Sequence, residues 1–239
     1  MKKLMLVAAT ATSLAACTSD IGGVTDQVQL SPPTLEITQQ NASALIAMQT
    51  TTREQTQREQ TAVAPRIGTG ASTTIECRVS GTIKTASSET ADGLTSKAEF
   101  LNCNEDGNWS LLGSLNTVLV ASGNEANGNI SIAMSGGVTA THQFEPVTTE
   151  LSQYNLNMNM QTSGTNVEST TTMTAKIAYE SPEASGTVNM YTKPMVAVDF
   201  VDGQLTQSGT YYIEGANGSY ISVNVATGET KVNGQVWPQ

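Results

Sequence analysis

The chain has 239 residues, of which 13% are charged and 5% aromatic, with 11 Lys and Arg against 21 Asp and Glu and a formal net charge of −10. So acidic a body offers no positive surface to a phosphate backbone or an anionic headgroup layer, which argues against nucleic acid as a partner and against electrostatic adhesion to a bilayer. The length allows one large or two small domains.

Lys2 and Lys3 precede an apolar run from Leu4 to Leu14, and the segment closes on Leu14-Ala15-Ala16-Cys17. A short cationic start, a brief apolar stretch and small residues at a cut point make a secretory signal, and the run is too short to span a bilayer as a helix. Leu14-Ala15-Ala16-Cys17 resembles the lipobox of bacterial lipoprotein precursors. The resemblance implies that residues 1–16 are a signal peptide and that Cys17 becomes an acylated N-terminus, palmitate included. Thr18 stands where an aspartate would favour inner-membrane retention, so the resemblance implies a cell-envelope protein held by lipid at the outer membrane rather than the inner one. Losing Lys2 and Lys3 with the signal leaves nine of the 11 basic residues against all 21 acidic ones.

Residues 17–34 are polar and end in Ser31-Pro32-Pro33-Thr34, where proline opposes helix and strand ladders alike, and they read as a tether. In residues 35–70 the pattern predicts one helix near Asn41 to Gln60, with Asn41 as N-cap and Glu54 and Arg58 as a favourable i,i+4 pair. Its apolar content fades after Met48, so only the first turns are expected to dock on the sheet. Pro65 to Gly70 then breaks the chain.

Residues 71–239 change to a period of two. Ile130, Ile132 and Met134 alternate with polar or small residues; Val138, Ala140, His142 and Phe144 repeat the habit. So do Tyr154, Leu156, Met158 and Met160, then Met173, Ala175, Ile177 and Tyr179, and finally Ile221, Val223 and Val225. One-sided stripes belong to antiparallel sheet with one buried face. Asn127-Gly128 and Asn217-Gly218 are hairpin signals, and Ser135-Gly136-Gly137, Ser163-Gly164-Thr165, Asp202-Gly203 and Ala226-Thr227-Gly228 mark further reversals. The expectation is a mainly β fold: a large antiparallel meander of roughly ten to twelve strands, curved or partly closed, with one short N-terminal helix. A closed transmembrane barrel would need lipid-facing aromatic girdles that this composition does not supply.

Cys77 and Cys103 remain once Cys17 is assigned to lipid. In an oxidising compartment an even pair reads as a disulfide, and the two flank the turn Thr90-Ala91-Asp92-Gly93, which favours a cross-strand bridge. A redox-active pair is the alternative, without the Cys-x-x-Cys spacing that would support it. Ser80-Gly81-Thr82-Ile83 followed by Phe100 has an echo in Ser185-Gly186-Thr187-Val188 followed by Phe200, a faint internal repeat. The order of Asn41-Ala42, Cys77 with Gly81-Thr82, then Phe100-x-Asn102-Cys103 resembles β-rich envelope lipoproteins of unassigned activity, and that likeness transfers no functional residue.

For chemistry the candidates are few. His142 is the single histidine, on an apolar stripe, and reads as a core residue in the absence of an identifiable nucleophile and orienting carboxylate. No nucleophile elbow, Walker loop or dinucleotide fingerprint is present. Asn104-Glu105-Asp106-Gly107-Asn108 is rich in oxygen ligands but lacks the positions of an EF-hand and reads as a turn, so no metal or cofactor is expected. Trp109, Trp237, Tyr211 and Tyr212 are the aromatics that could serve a sugar site. Met134, Met158, Met160 and Met173, with Met195, could line one flexible apolar surface, although a plain core is the simpler account. On a curved sheet with a helix at its concave side, such a surface resembles that of half-barrel lipoprotein carriers of the envelope. The expected function is a non-enzymatic, lipid-anchored protein in a structural or partner-binding role, with carriage of lipid or another apolar ligand on the Met-rich face as the alternative.

Overall fold

A computed structural model describes residues 30–46, 72–90, 93–124 and 127–238. The expected signal, Cys17, most of the expected tether and the remainder of the expected helix lie outside the described residues. Among the described residues the chain forms a single antiparallel sheet of 14 strands that does not close on itself. In chain order these are β1 (Thr73–Glu76), β2 (Ser80–Thr90), β3 (Gly93–Asn104), β4 (Trp109–Gly123), β5 (Asn127–His142), β6 (Thr148–Ser163), β7 (Asn166–Glu180), β8 (Ser185–Thr192), β9 (Val196–Val201), β10 (Gln204–Ser208), β11 (Thr210–Glu214), β12 (Tyr220–Asn224), β13 (Thr230–Val232) and β14 (Gln235–Val236).

The mainly β, antiparallel expectation therefore holds, with two more strands than its upper bound, because the short β1, β13 and β14 carry too few residues to show a stripe. Strands β1 to β8 meander, but the sheet then forks. The first half of β7 pairs with β9 through Val167↔Phe200 to Thr171↔Val196, while its second half pairs with β8 through Thr174↔Tyr191 to Glu180↔Ser185. The β9–β10 hairpin thus intervenes in sequence between β8 and β11, which pair directly with each other.

Most turn signals fall where expected. Asp202-Gly203 joins β9 to β10 with both residues at positive φ (52° and 81°), as a two-residue hairpin requires. Asn217-Gly218 also has two positive φ values, inside a longer turn closed by the Gly215 N–H on the Ser219 carbonyl at 2.8 Å. Two signals are corrected. Asn127-Gly128 opens β5 rather than turning the chain, and the reversal before it is held by Asn124, whose side-chain oxygen accepts the Asn127 N–H at 2.9 Å. Ser135-Gly136-Gly137 lies within β5, so the two strands expected there are one.

That glycine pair marks a bend. The register shifts at Ser80/Thr82 in β2, Leu101/Cys103 in β3, Gly136/Val138 in β5 and Ser152/Asn155 across β6, at neighbouring heights in the sheet. Bulges aligned across strands bend a sheet instead of merely twisting it. Gly136 has φ 141°, and a Cβ there would lie 2.2 Å from the Ser114 carbonyl oxygen. Gly136→Ala is therefore expected to lower stability by about 2 kcal/mol or more, through strained backbone and overlap with the β4 ladder. An unchanged urea midpoint would remove the bend from this account.

Two clusters make the core. The larger joins Leu35, Ile37, Ala42 and Leu45 to Ala175, Ile177, Tyr179, Val188, Met190, Ile213, Ile221 and Val232, so the N-terminal segment covers the apolar face of β7, β8 and β11 to β13. Backbone bonds fix it: the Thr34 and Leu35 N–H groups donate to the Thr187 carbonyl at 2.9 and 3.0 Å, and the Ala216 N–H donates to the Leu35 carbonyl at 2.8 Å. Gly186 is required here, because a Cβ would lie 2.9 Å from the Leu35 Cβ. Docking starts before the end of the segment read as a tether, with Ser31 accepting from Asn189 through its carbonyl at 3.2 Å and from Lys176 through its hydroxyl.

Residues 42–46 are helical, as predicted for the first turn. The side-chain oxygen of Asn41 accepts from the upstream Thr38 N–H at 2.8 Å, while its carbonyl receives the Leu45 N–H at 3.2 Å.

The smaller cluster holds Ile75, Cys77, Ile83, Phe100, Cys103 and Leu111. Cys77 and Cys103 form the expected disulfide, with Cα atoms 5.5 Å apart. Cys77 follows β1 instead of sitting on β2, so the bridge ties the β1–β2 connection to the end of β3 rather than two facing strands. The repeat does not extend to pairing: β2 and β3 are neighbours, whereas β8 and β9 are not.

Candidate functional site

Because directly paired residues share a face, the registers define the inward surface residue by residue. One row runs Met134↔Leu156↔Met173 across β5, β6 and β7. The next runs Leu119↔Ile132↔Met158↔Thr171↔Val196 from β4 to β9, and the third runs Ile130↔Met160↔Ser169↔Val198. The four methionines singled out from alternation therefore lie on one face and on consecutive rows. Met160 is buried, whereas Met134, Met158 and Met173 are half-buried, as are Leu119, Ile130, Ile132 and Leu156. Met195 precedes β9 and is exposed, outside the group.

The inward positions of β4 to β9 carry no Asp, Glu, Lys or Arg; Glu150, Glu168, Lys176 and Asp199 all alternate to the opposite face. In these three rows the polar side-chain atoms are hydroxyls, those of Ser169 and Thr171. Ser169 Oγ donates to the Val198 carbonyl at 3.0 Å, and Thr192 Oγ1 accepts the Met173 N–H at 3.2 Å. Thr171 is 2% exposed and its Oγ1 has no hydrogen-bond partner. Tyr154 packs at the edge of the larger cluster, and burial, reinforced by Tyr211, pushes its phenol above the ordinary range and keeps it neutral. Sequence reading placed Tyr154 on the stripe but did not single out Thr171, because an isolated threonine in a strand carries no signal until its neighbours are known.

The other candidates are placed as follows. His142 ends β5 half-buried, with its Nδ1 accepting the Glu145 N–H at 3.0 Å and its ring 4.8 Å from that of Trp109, edge to face. These contacts suit a packed histidine at a strand end. Phe144, expected to continue the stripe, lies beyond β5 and is 79% exposed. In the turn after β3 the acidic cluster is engaged locally: Asn104 Oδ1 accepts the Gly107 N–H at 2.6 Å, and Asp106 Oδ1 accepts from Asn108 and Trp109 at 2.8 and 3.1 Å. Such oxygens hold the turn.

Tyr211 and Tyr212 do point to opposite faces. Tyr211 faces inward beside Thr192, and Tyr212 stands on the outer face between Tyr191, stacked at 5.4 Å, and Tyr220 at 6.2 Å. Tyr191 stacks on one face of Tyr212, a face on which a sugar would otherwise stack, and the Tyr220 ring is tilted against it at 47°. Burial raises the Tyr191 phenol above its usual value, with Glu214 and Tyr212 adding to the effect. Trp237 packs against the larger core cluster.

The one triad of possible metal ligands among the described residues is Cys77, Cys103 and Glu105, and the disulfide takes both sulfurs. Among the described residues no helix is long and apolar enough to cross a membrane. No family model matches the chain, and no match was found among curated proteins or solved structures.

Proposed function

We propose that this chain is a non-catalytic binding protein of the bacterial envelope, held by lipid on Cys17, and that its working surface is the inward face between β4 and β9, which takes an apolar ligand. The observation that carries the reading is the set of half-buried aliphatic and methionine side chains on consecutive rows of a single sheet. An apolar sheet face is ordinarily buried against a second layer. Among the described residues, the segment 35–46 supplies that layer over β7, β8 and β11 to β13. Methionine, with three rotatable bonds and a polarisable sulfur, adapts to a variable occupant.

Anchorage supports the same reading, since the acyl chains on Cys17 would leave the sheet free for a cargo or partner instead of for membrane attachment. The test is native mass spectrometry of the body secreted without Cys17, isolated directly and again after exposure to an envelope lipid extract. A retained adduct of lipid mass is the expected result. The bare chain mass in both samples would overturn the reading.

A further inference from the structure

We infer that the ligand of this face is an uncharged amphiphile, a long-chain molecule ending in hydroxyl or ester groups, whose polar end hydrogen-bonds Thr171 Oγ1. The inference rests on the apolar-ligand reading above and names the chemistry of the ligand.

The first observation is the orphaned hydroxyl. Thr171 is 2% exposed and its Oγ1 has no partner, although a buried hydroxyl loses its water and ordinarily gains a bond in return. Valine would fill the same volume without that loss, so packing alone gives the oxygen no role. Its neighbours on the inward side of the same region do not share the condition: Ser169 bonds the Val198 carbonyl and Thr192 receives the Met173 N–H. Thr171 is also the last residue of β7 paired with β9, and Thr174 the first paired with β8, which puts the unpartnered group at the fork of the sheet.

The second observation is what surrounds it. Thr171 pairs with Met158 on one side and Val196 on the other, and Met173 follows it along the same face. A flexible methionine on its flank can yield to an arriving group where a branched residue would not. The third is charge. No inward position from β4 to β9 carries Asp, Glu, Lys or Arg, and His142, at the distant end of β5, is engaged by the Glu145 N–H and the Trp109 ring. A carboxylate or phosphate placed here would lose its hydration and meet no cation, whereas a neutral hydroxyl or ester gains the bond that Thr171 offers.

The experiment uses the full lipid-anchored chain in phosphatidylethanolamine and phosphatidylglycerol nanodiscs. Three diazirine-bearing probes of equal chain length are compared: a monoacylglycerol, a fatty acid and an alkane. After irradiation, labelled peptides are mapped by mass spectrometry. The monoacylglycerol is expected to label peptides of β6 and β7 more heavily than the fatty acid, with labelling reduced roughly fivefold in Thr171→Val and retained in Thr171→Ser. Thr171→Val should melt no lower than the parent, since it removes an unsatisfied group, and Thr171→Ala provides a second hydroxyl-free chain if the valine variant does not fold. Equal labelling by all three probes, unaffected by loss of the hydroxyl, or preference for the fatty acid, overturns this inference while leaving the apolar-ligand reading in place. Failure of every probe to label the face overturns both.

Discussion

Replacing Cys77 and Cys103 together by alanine is expected to lower the melting temperature by roughly 7–14 °C, the largest stability effect in this molecule short of disrupting the main core. The bridge spans a sequence separation of 26 residues, and closing a loop of that size removes about 3–4 kcal/mol of chain entropy from the unfolded state. The local core gives little to replace it. Ile75, Ile83, Phe100 and Leu111 are the remaining buried members of the smaller cluster, and β1 contributes four residues to the ladder. Both sulfurs are buried, so the substitution also loses packing. The loss should be regional. Amide exchange is expected to quicken in β1, β2 and β3 while the segment 35–46 and β7 to β13, joined in the larger cluster, keep their protection. A melting temperature lowered by less than about 3 °C, or exchange that quickens uniformly, would refute a stapling role for the bridge.

How much of this was legible in the sequence depended on whether the physics was local. The stripes Ile130 to Met134, Tyr154 to Met160 and Met173 to Tyr179 could be read directly, because side chains alternate along a strand whatever it pairs with. That reading put the four methionines on one side of their strands, but only the registers show that they occupy consecutive rows. Gly136-Gly137 was misread as a turn because glycine serves reversals and bends equally well, and the choice is set by the partner backbone at Ser114. The fork at β7 had no sequence signature. It follows from two different partners claiming the two halves of one long strand, a tertiary choice. Thr171 was illegible for the same reason: its hydroxyl is unusual only because Met158 and Val196 flank it and nothing bonds it. Alternation puts Tyr211 and Tyr212 on opposite faces without saying which is which, and the Tyr191 and Tyr220 rings beside Tyr212 come from strands whose adjacency alternation alone cannot give.

Cys17→Ala is expected to abolish incorporation of labelled palmitate altogether, and the body exported from Thr18 behind an ordinary cleavable signal should appear in the soluble fraction. Each buried CH₂ of an acyl chain contributes about 0.8 kcal/mol to membrane attachment, so one chain binds marginally and several hold nearly permanently. Nothing in the charge of the body substitutes for them. Without Lys2 and Lys3, as signal removal would leave it, the body would carry nine basic residues against 21 acidic ones, a balance that repels an anionic leaflet instead of binding it. Attachment of the wild-type protein should therefore survive high salt and yield only to detergent, because screening weakens electrostatic contacts and leaves buried hydrocarbon untouched. The two arms separate the causes of membrane retention. Palmitate incorporated by the Cys17→Ala chain would move the attachment site elsewhere, and a Cys17-free body that still sediments with membranes would transfer the anchoring role to the sheet, making its inward apolar face a membrane contact instead of a ligand site.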